Sequence, residues 1–201
     1  MDSLSLAVII PPIYLIFVTS ITPGPNNIML ASSGMNFGYK RSLPHLIGIF
    51  SGFGLLIILC AVGIGSLYEN YPILRNVLRV LSAGYLIYLS YKIATAGKTQ
   101  LKTSGKPLTW LEAASFQFIN PKAWVMSLTF ISSFMPDFNS LWLEVVFMLT
   151  IGIFINFPCT SIWVLFGKVM ARVFTSDKTR KIINYTMAGM LLLMIPILVL
   201  L

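Results

Sequence analysis

The segment Ile21–Asn27 reads ITPGPNN, in which two prolines flank a glycine and two asparagines follow. It lies inside an uncharged stretch from about Leu4 to Met35, and about 20 apolar residues suffice for a membrane-spanning helix. Proline removes a backbone donor and clashes with the preceding turn, whereas glycine accepts backbone angles that strain other residues. The segment therefore predicts a spanning helix that is unwound partway along its length.

A second break of similar character occurs in the other half of the chain, where Asn120-Pro121-Lys122 interrupts another apolar stretch. Unwound backbone is costly in hydrocarbon and is tolerated only where protein or a watery cavity satisfies it. Paired breaks in two repeats indicate the substrate site of a transporter. We therefore predict a substrate site made of Thr22, Pro23, Gly24, Pro25, Asn26, Asn27, Asn120, Pro121, Lys122 and Asn156.

The composition favours a polytopic membrane protein over a soluble domain. Of 201 residues, 57% are hydrophobic and only 10% are charged, whereas about a quarter of a soluble domain is charged. Uncharged stretches of sufficient length predict an all-α integral membrane protein with six transmembrane helices. The predicted spans are Leu4–Met35, Leu43–Leu67, Ile73–Tyr91, Trp110–Met135, Leu141–Gly167 and Ile182–Leu201.

The six spans divide into two sets of three, residues 1–96 and 109–201, joined by a basic cytoplasmic loop at 97–108. An odd number of spans in each set inverts the second set relative to the first. GIFSGF at Gly48–Phe53 also recurs as GIFINF at Gly152–Phe157. We therefore predict two inverted three-helix repeats, each with its first helix broken near mid-membrane.

Basic residues concentrate in the loops of one membrane face, and such loops stay in the cytoplasm. Arg75 and Arg79, at the start of the third span, are exceptions on the opposite side. Both termini are therefore predicted to be extracytoplasmic. The net charge of +8 is spread over three loops, which argues for topology and lipid contact and against nucleic-acid binding. These loops carry Lys40, Arg41, Lys92, Lys98, Lys102, Lys106, Lys168, Arg172, Lys178, Arg180 and Lys181.

A helix that restarts after a break points free backbone amides and its positive dipole end into the gap, and this arrangement suits a carboxylate. Asn26 and Asn27 could then bind an ammonium or side-chain group. Lys122 could pair with the carboxylate, exchange a proton, or simply extend to the interface. Asn156 and Gln117 either contribute to the site or form hydrogen bonds between helices.

Side chains suited to enzymatic or metal chemistry are sparse. His45 is the only histidine and has no carboxylate cluster around it, so we predict neither a metal site nor a cofactor, and a protein that is not an enzyme. Cys60 and Cys159 permit one alternative, an intramembrane thiol-redox relay. Replacing both cysteines with serine would abolish the activity of a relay and spare that of a transporter.

The segments ITPGPNN and Asn120–Trp124, NPKAW, together with the length and six-span layout, resemble the lysine exporter (LysE/RhtB) family of amino-acid efflux proteins. Gly48–Gly63 and Asn156–Gly167 are most similar to its cysteine and O-acetylserine exporter branch. The resemblance implies secondary, proton-coupled export of a small neutral amino acid across the inner membrane. Homoserine, threonine or leucine exporters of the family often carry an acid where this chain has Phe53.

The residues themselves leave the direction of flux open, so an importer or a channel for small metabolites is an alternative. The expected partners are a small amino-acid substrate, protons as the coupling ion, and the lipid bilayer. The oligomeric state is also open, with a homodimer as one candidate.

Overall fold

The computed structural model describes residues 6–95 and 106–200, and all the regular secondary structure in these ranges is α-helical. Residues 97–105 of the predicted basic loop lie outside the described residues. The helices are α1 (Leu6–Ile21), α2 (Pro25–Ala61), α3 (Gly65–Asn70), α4 (Pro72–Ala94), α5 (Trp110–Ile119), α6 (Pro121–Phe134), α7 (Leu141–Val173) and α8 (Asp177–Leu200).

Three of these helices, α2, α4 and α7, are long and apolar enough to cross a membrane, and α1 contains a shorter apolar segment, Val8–Ile21. The described part of the chain is therefore all-helical and contains apolar spans. The two predicted breaks are both present, between α1 and α2 and between α5 and α6. Six membrane crossings and the inverted repeat remain predictions.

Several bounds differ from the sequence-based expectation, among them the end of the second span and the width of the second break. The helix predicted over Leu43–Leu67 ends at Ala61, because Gly63 adopts a positive φ of 92° and the chain turns before α3 begins. The second break is also narrower than predicted. Only Asn120, with φ −82° and ψ 106°, is extended there, whereas Pro121 and Lys122 already belong to the first turn of α6.

A kink divides α2 into two parts at Gly38, whose φ of 76° and ψ of 171° are not helical. Glycine adopts a positive φ at little conformational cost because it has no Cβ atom. Ser42 Oγ donates to the carbonyl oxygen of Gly38 at 2.8 Å and shares a second hydrogen bond of 2.8 Å with Ser33 Oγ. The two serines thereby link the parts of α2 on either side of the kink.

Glycines allow α2 to pack closely against α7 and α5. Gly34 faces the backbone of Val164, and a methyl group at Gly167 would lie 2.7 Å from the carbonyl carbon of Ala31. Gly48 and Gly52, the GxxxG step, lie against the backbone of α5 in the same way. Small residues at helix crossings let backbones approach in membrane proteins. Close packing therefore positions both breaks around the centre of the protein.

A methyl group at these crossings should destabilise the fold, because it would meet backbone atoms that cannot rotate away. We expect Gly34→Ala and Gly167→Ala each to lower the free energy of unfolding by about 1–3 kcal/mol. Gly84→Ala in α4 is the matched control, since nothing lies within 4 Å of the new methyl group. Thermal unfolding of the purified proteins in detergent measures the difference. Equal midpoints for Gly167→Ala and Gly84→Ala would contradict the packing described here.

Candidate functional site

The first break is stabilised by Asn27, one of the predicted site residues. The end of α1 leaves carbonyl oxygens without helical donors, and buried carbonyls need partners. Asn27 Nδ2 donates to the carbonyl oxygens of Ser20 and Thr22, at 2.7 Å each, and the side chain is buried. The side-chain amide of Asn27 therefore stabilises the backbone of the break, and its nitrogen already donates two hydrogen bonds.

Two side chains near the second break form hydrogen bonds with its backbone groups. Asn120 Oδ1 accepts a hydrogen bond from the backbone nitrogen of Lys122 at 3.2 Å and so caps the start of α6. Trp124 Nε1 donates to the carbonyl oxygen of Phe118 at 2.8 Å, and its ring stacks on Tyr68 with centroids 4.8 Å apart. Sequence reasoning missed this role of Trp124, although the indole follows the NPK break directly.

Side chains tie the two breaks to each other. Lys122 Nζ donates to Thr22 Oγ1 at 3.1 Å and to the Thr22 carbonyl oxygen at 3.3 Å. Asn26 and Gln117 exchange hydrogen bonds of 2.8 and 3.2 Å, and Gln117 Nε2 also donates to the carbonyl oxygen of Ala113. The structure thus brings together predicted residues that are distant in the sequence.

A small cavity of about 30 Å³, the central cavity, lies between the breaks. This volume accommodates about one water molecule. Seven of the ten predicted site residues line it, while Thr22, Pro23 and Pro121 do not. Those in the wall are Gly24, Pro25, Asn26, Asn27, Asn120, Lys122 and Asn156.

The wall also includes residues that sequence reasoning did not propose for the site, among them Ser20 and Thr160. Thr160 lies on a helical face with another polar residue. Thr160 is one turn beyond Asn156 on α7 and donates to its carbonyl oxygen at 2.8 Å. This spacing of four residues could have identified Thr160 from the sequence, because positions four apart share a helix face.

Asn156 presents an acceptor without a donor. Its Nδ2 donates to Ser20 Oγ at 2.7 Å, whereas its Oδ1 is buried and has no hydrogen-bond partner among the described residues. Buried side-chain acceptors are usually paired, and an unpaired one has a free-energy cost. Since Asn156 lines the central cavity, this oxygen is available to a donor that enters it.

The electrostatics of the cavity favour a negative group beside the start of α2. Gly24 is the N-cap of α2, no described side chain caps this helix start, and Pro25 follows at its first position. The positive end of the helix dipole therefore remains uncompensated there. The Lys122 amino group lies beside Gly24 and adds positive charge there when it is protonated. The cavity thus combines a cationic end with a free acceptor, an arrangement suited to a small zwitterion.

Three further side chains lie away from the central cavity. Glu112 forms a capping box with Thr109 at the start of α5, with hydrogen bonds of 2.7 and 3.3 Å. Cys60 in α2 and Cys159 in α7 are buried free thiols that do not line the central cavity.

Comparison with known proteins agrees with this description. Residues 17–201 match the family model described as LysE type translocator. The chain is similar to proteins named cysteine/O-acetylserine efflux protein from Escherichia coli (strain K12), Shigella sonnei (strain Ss046) and Salmonella typhi. Each is 34% identical over 161 residues, which cover 78% of this chain and 80% of the relative. No solved structure matches the chain.

The family model covers the two breaks and all the helices from α2 to α8, and the relatives cover most of the chain at a substantial identity. The chain therefore belongs to the LysE type translocator family.

Proposed function

We propose that the protein is a secondary transporter of the inner membrane that exports a small neutral amino acid or derivative from the cytoplasm. The observation that carries the proposal is the central cavity, a polar site enclosed by two helix breaks in an otherwise apolar protein. Cysteine and O-acetylserine are the leading substrates, because the similar bacterial efflux proteins bear these names. Homoserine, threonine and leucine are the next candidates.

Alternating access in this proposal uses six spans in two inverted repeats, with both termini outside the cytoplasm. Two packing features support it. The breaks occur in the first span of each set, and corresponding helices contact each other. Helix α4 packs on α8, and Phe50 in the second part of α2 contacts Phe157 in α7. The distribution of basic residues supports the orientation.

Recognition of the amino-acid backbone would use the two ends of the cavity. The substrate carboxylate would lie at the start of α2 and beside Lys122, where backbone amides and the ammonium are charge-assisted donors. The substrate ammonium would donate to Asn156 Oδ1, the buried acceptor that has no partner. Each group of the zwitterion would thereby satisfy an unpaired group of the protein.

The side chain of the substrate would face an apolar wall. Ile49, Phe53 and Met126 line the central cavity, and no described acidic residue does. A cationic substrate side chain would lack a counter-charge there, so a neutral side chain fits better. Phe53 is buried in this wall.

The described conformation is closed, because a cavity of about 30 Å³ is far too small for an amino acid. We propose that loading separates the breaks by releasing two contacts, the Lys122–Thr22 hydrogen bonds and the Asn26–Gln117 pair. Both contacts join the two sets of helices beside the cavity. A substrate that offers replacement partners would lower the cost of this separation.

Proton coupling is the remaining part of the proposal. Lys122 is the one ionisable side chain among the described residues of the cavity wall, and it can bind or release a proton as the substrate leaves. An ionisable group at membrane depth is expensive to maintain and is generally functional.

Efflux from proteoliposomes tests the proposed function. Vesicles are preloaded with radiolabelled cysteine, O-acetylserine, threonine, leucine or lysine, with or without an imposed pH gradient. We expect gradient-dependent exit of a small neutral amino acid, and slower or no exit of lysine because no described residue of the cavity wall is acidic. Exit that ignores the gradient would indicate a channel, and no movement of any amino acid would contradict the proposal.

Replacement of Lys122 tests its assigned role. We expect Lys122→Met to reduce the efflux rate at least about tenfold, because a charge-assisted bond to the carboxylate is lost. Lys122→Arg should retain the charge and more of the rate. The matched control is Lys178→Met, which removes an exposed lysine at the start of α8. If Lys122→Met and Lys178→Met transport at the same rate, Lys122 has no part in substrate binding.

A further inference from the structure

A second cavity of about 410 Å³ adjoins the central cavity and is much larger. We call it the outer cavity, because it lies at the N-terminal half of α4, which the distribution of basic residues predicts to be extracytoplasmic. Its wall includes Pro23, Tyr68, Arg75, Arg79, Lys122 and Met126. This cavity is large enough for a small amino acid, unlike the central one.

Three cations face the outer cavity, namely Arg75, Arg79 and Lys122, and no described acidic residue lines it. Cations that share a cavity repel one another when no anion is present. Arg79 Nε is moreover buried and has no hydrogen-bond partner among the described residues. Arginine stays protonated, so this donor cannot be removed by loss of a proton and requires an acceptor.

The outer and central cavities share part of their walls. Gly24, Pro25, Lys122 and Met126 line both. The Lys122 side chain reaches across to Thr22 at 3.1 Å, so its ammonium lies at the boundary between the two spaces. An anion that leaves the central cavity past Lys122 therefore meets Arg75 and Arg79 next.

We propose that the outer cavity is a second substrate subsite, in which Arg75 and Arg79 bind the carboxylate of the amino acid before its release. The guanidinium group presents paired donors that match a carboxylate. This inference rests on the proposed function, since it assigns the exit route of the same substrate. The phosphate of an anionic lipid offers similar chemistry, and the experiment separates the two sources.

Charge-selective labelling tests the subsite independently of transport. Val125 lines the outer cavity but not the central one, and Cys60 and Cys159 line neither. Val125→Cys is introduced into a Cys60→Ser/Cys159→Ser protein in proteoliposomes. Two membrane-impermeant thiosulfonates of similar size are then added outside, one bearing a sulfonate and one a trimethylammonium group. We expect the anionic reagent to react at least about tenfold faster, because the cations concentrate anions in the cavity.

Variants of the two arginines locate the effect. Arg75→Gln and Arg79→Gln should each lower the preference for the anionic reagent, whereas Arg79→Lys should keep most of it. Arg172→Gln is the matched control, since this arginine is exposed near the end of α7. A preference that is absent, or that survives the double variant Arg75→Gln/Arg79→Gln, would overturn the inference.

Protection by ligands identifies the occupant. External O-acetyl-L-serine should slow labelling of Val125→Cys, and 2-aminoethyl acetate, the same molecule without its carboxylate, should not. Vesicles of phosphatidylcholine are compared with vesicles that contain phosphatidylglycerol. Protection by phosphatidylglycerol, with no effect of O-acetyl-L-serine, would assign the arginines to lipid and overturn the substrate subsite.

Efflux measured in the same vesicles separates this inference from the proposed function. Carboxylate-dependent protection without efflux would support the binding site and count against the transporter. Efflux of O-acetyl-L-serine without protection would support the transporter and overturn the outer subsite.

Discussion

Backbone groups released by a helix break must find partners, and this requirement organises the centre of the protein. In an apolar interior an unpaired amide or carbonyl costs several kcal/mol, so a break persists only if nearby groups satisfy it. Asn27 does so for the end of α1, and Asn120 and Trp124 do so for the junction of α5 and α6. Their side chains make two interruptions of the helical backbone stable enough to form a site.

Other polar groups near the breaks are not used to satisfy the backbone, and these groups are available for function. Among the described residues, the start of α2 has no side-chain cap, Asn156 Oδ1 has no donor, and Arg79 Nε has no acceptor. The Lys122 side chain lines both cavities and donates to Thr22 in the opposite break. A zwitterion complements this set, because its carboxylate and ammonium match the cationic and acceptor ends. Close glycine crossings between α2 and α7 hold these groups within reach of one another.

Sequence patterns were sufficient to locate the breaks, since prolines flanking a glycine disrupt a helix wherever they occur. Helical periodicity likewise indicates that Asn156 and Thr160 share a face. Sequence could not distinguish Asn26 from Asn27, because the folded backbone determines the direction of each side chain at a helix break. Asn26 bonds across to Gln117, whereas Asn27 caps its own break. In the sequence, Arg75 and Arg79 are exceptions to the concentration of basic residues on one membrane face. In the structure, both line the outer cavity.

The central claim is that the unsatisfied groups of the central cavity bind an amino acid, and Asn156 tests it most directly. Equilibrium binding of radiolabelled O-acetyl-L-serine to purified protein is measured for the wild type and for Asn156→Leu, which preserves much of the volume and removes the acceptor. The account predicts saturable binding to the wild type and binding at least about tenfold weaker in the variant, since a hydrogen bond to the charged ammonium is lost. Equal affinity in the two proteins would contradict it and would place the substrate elsewhere.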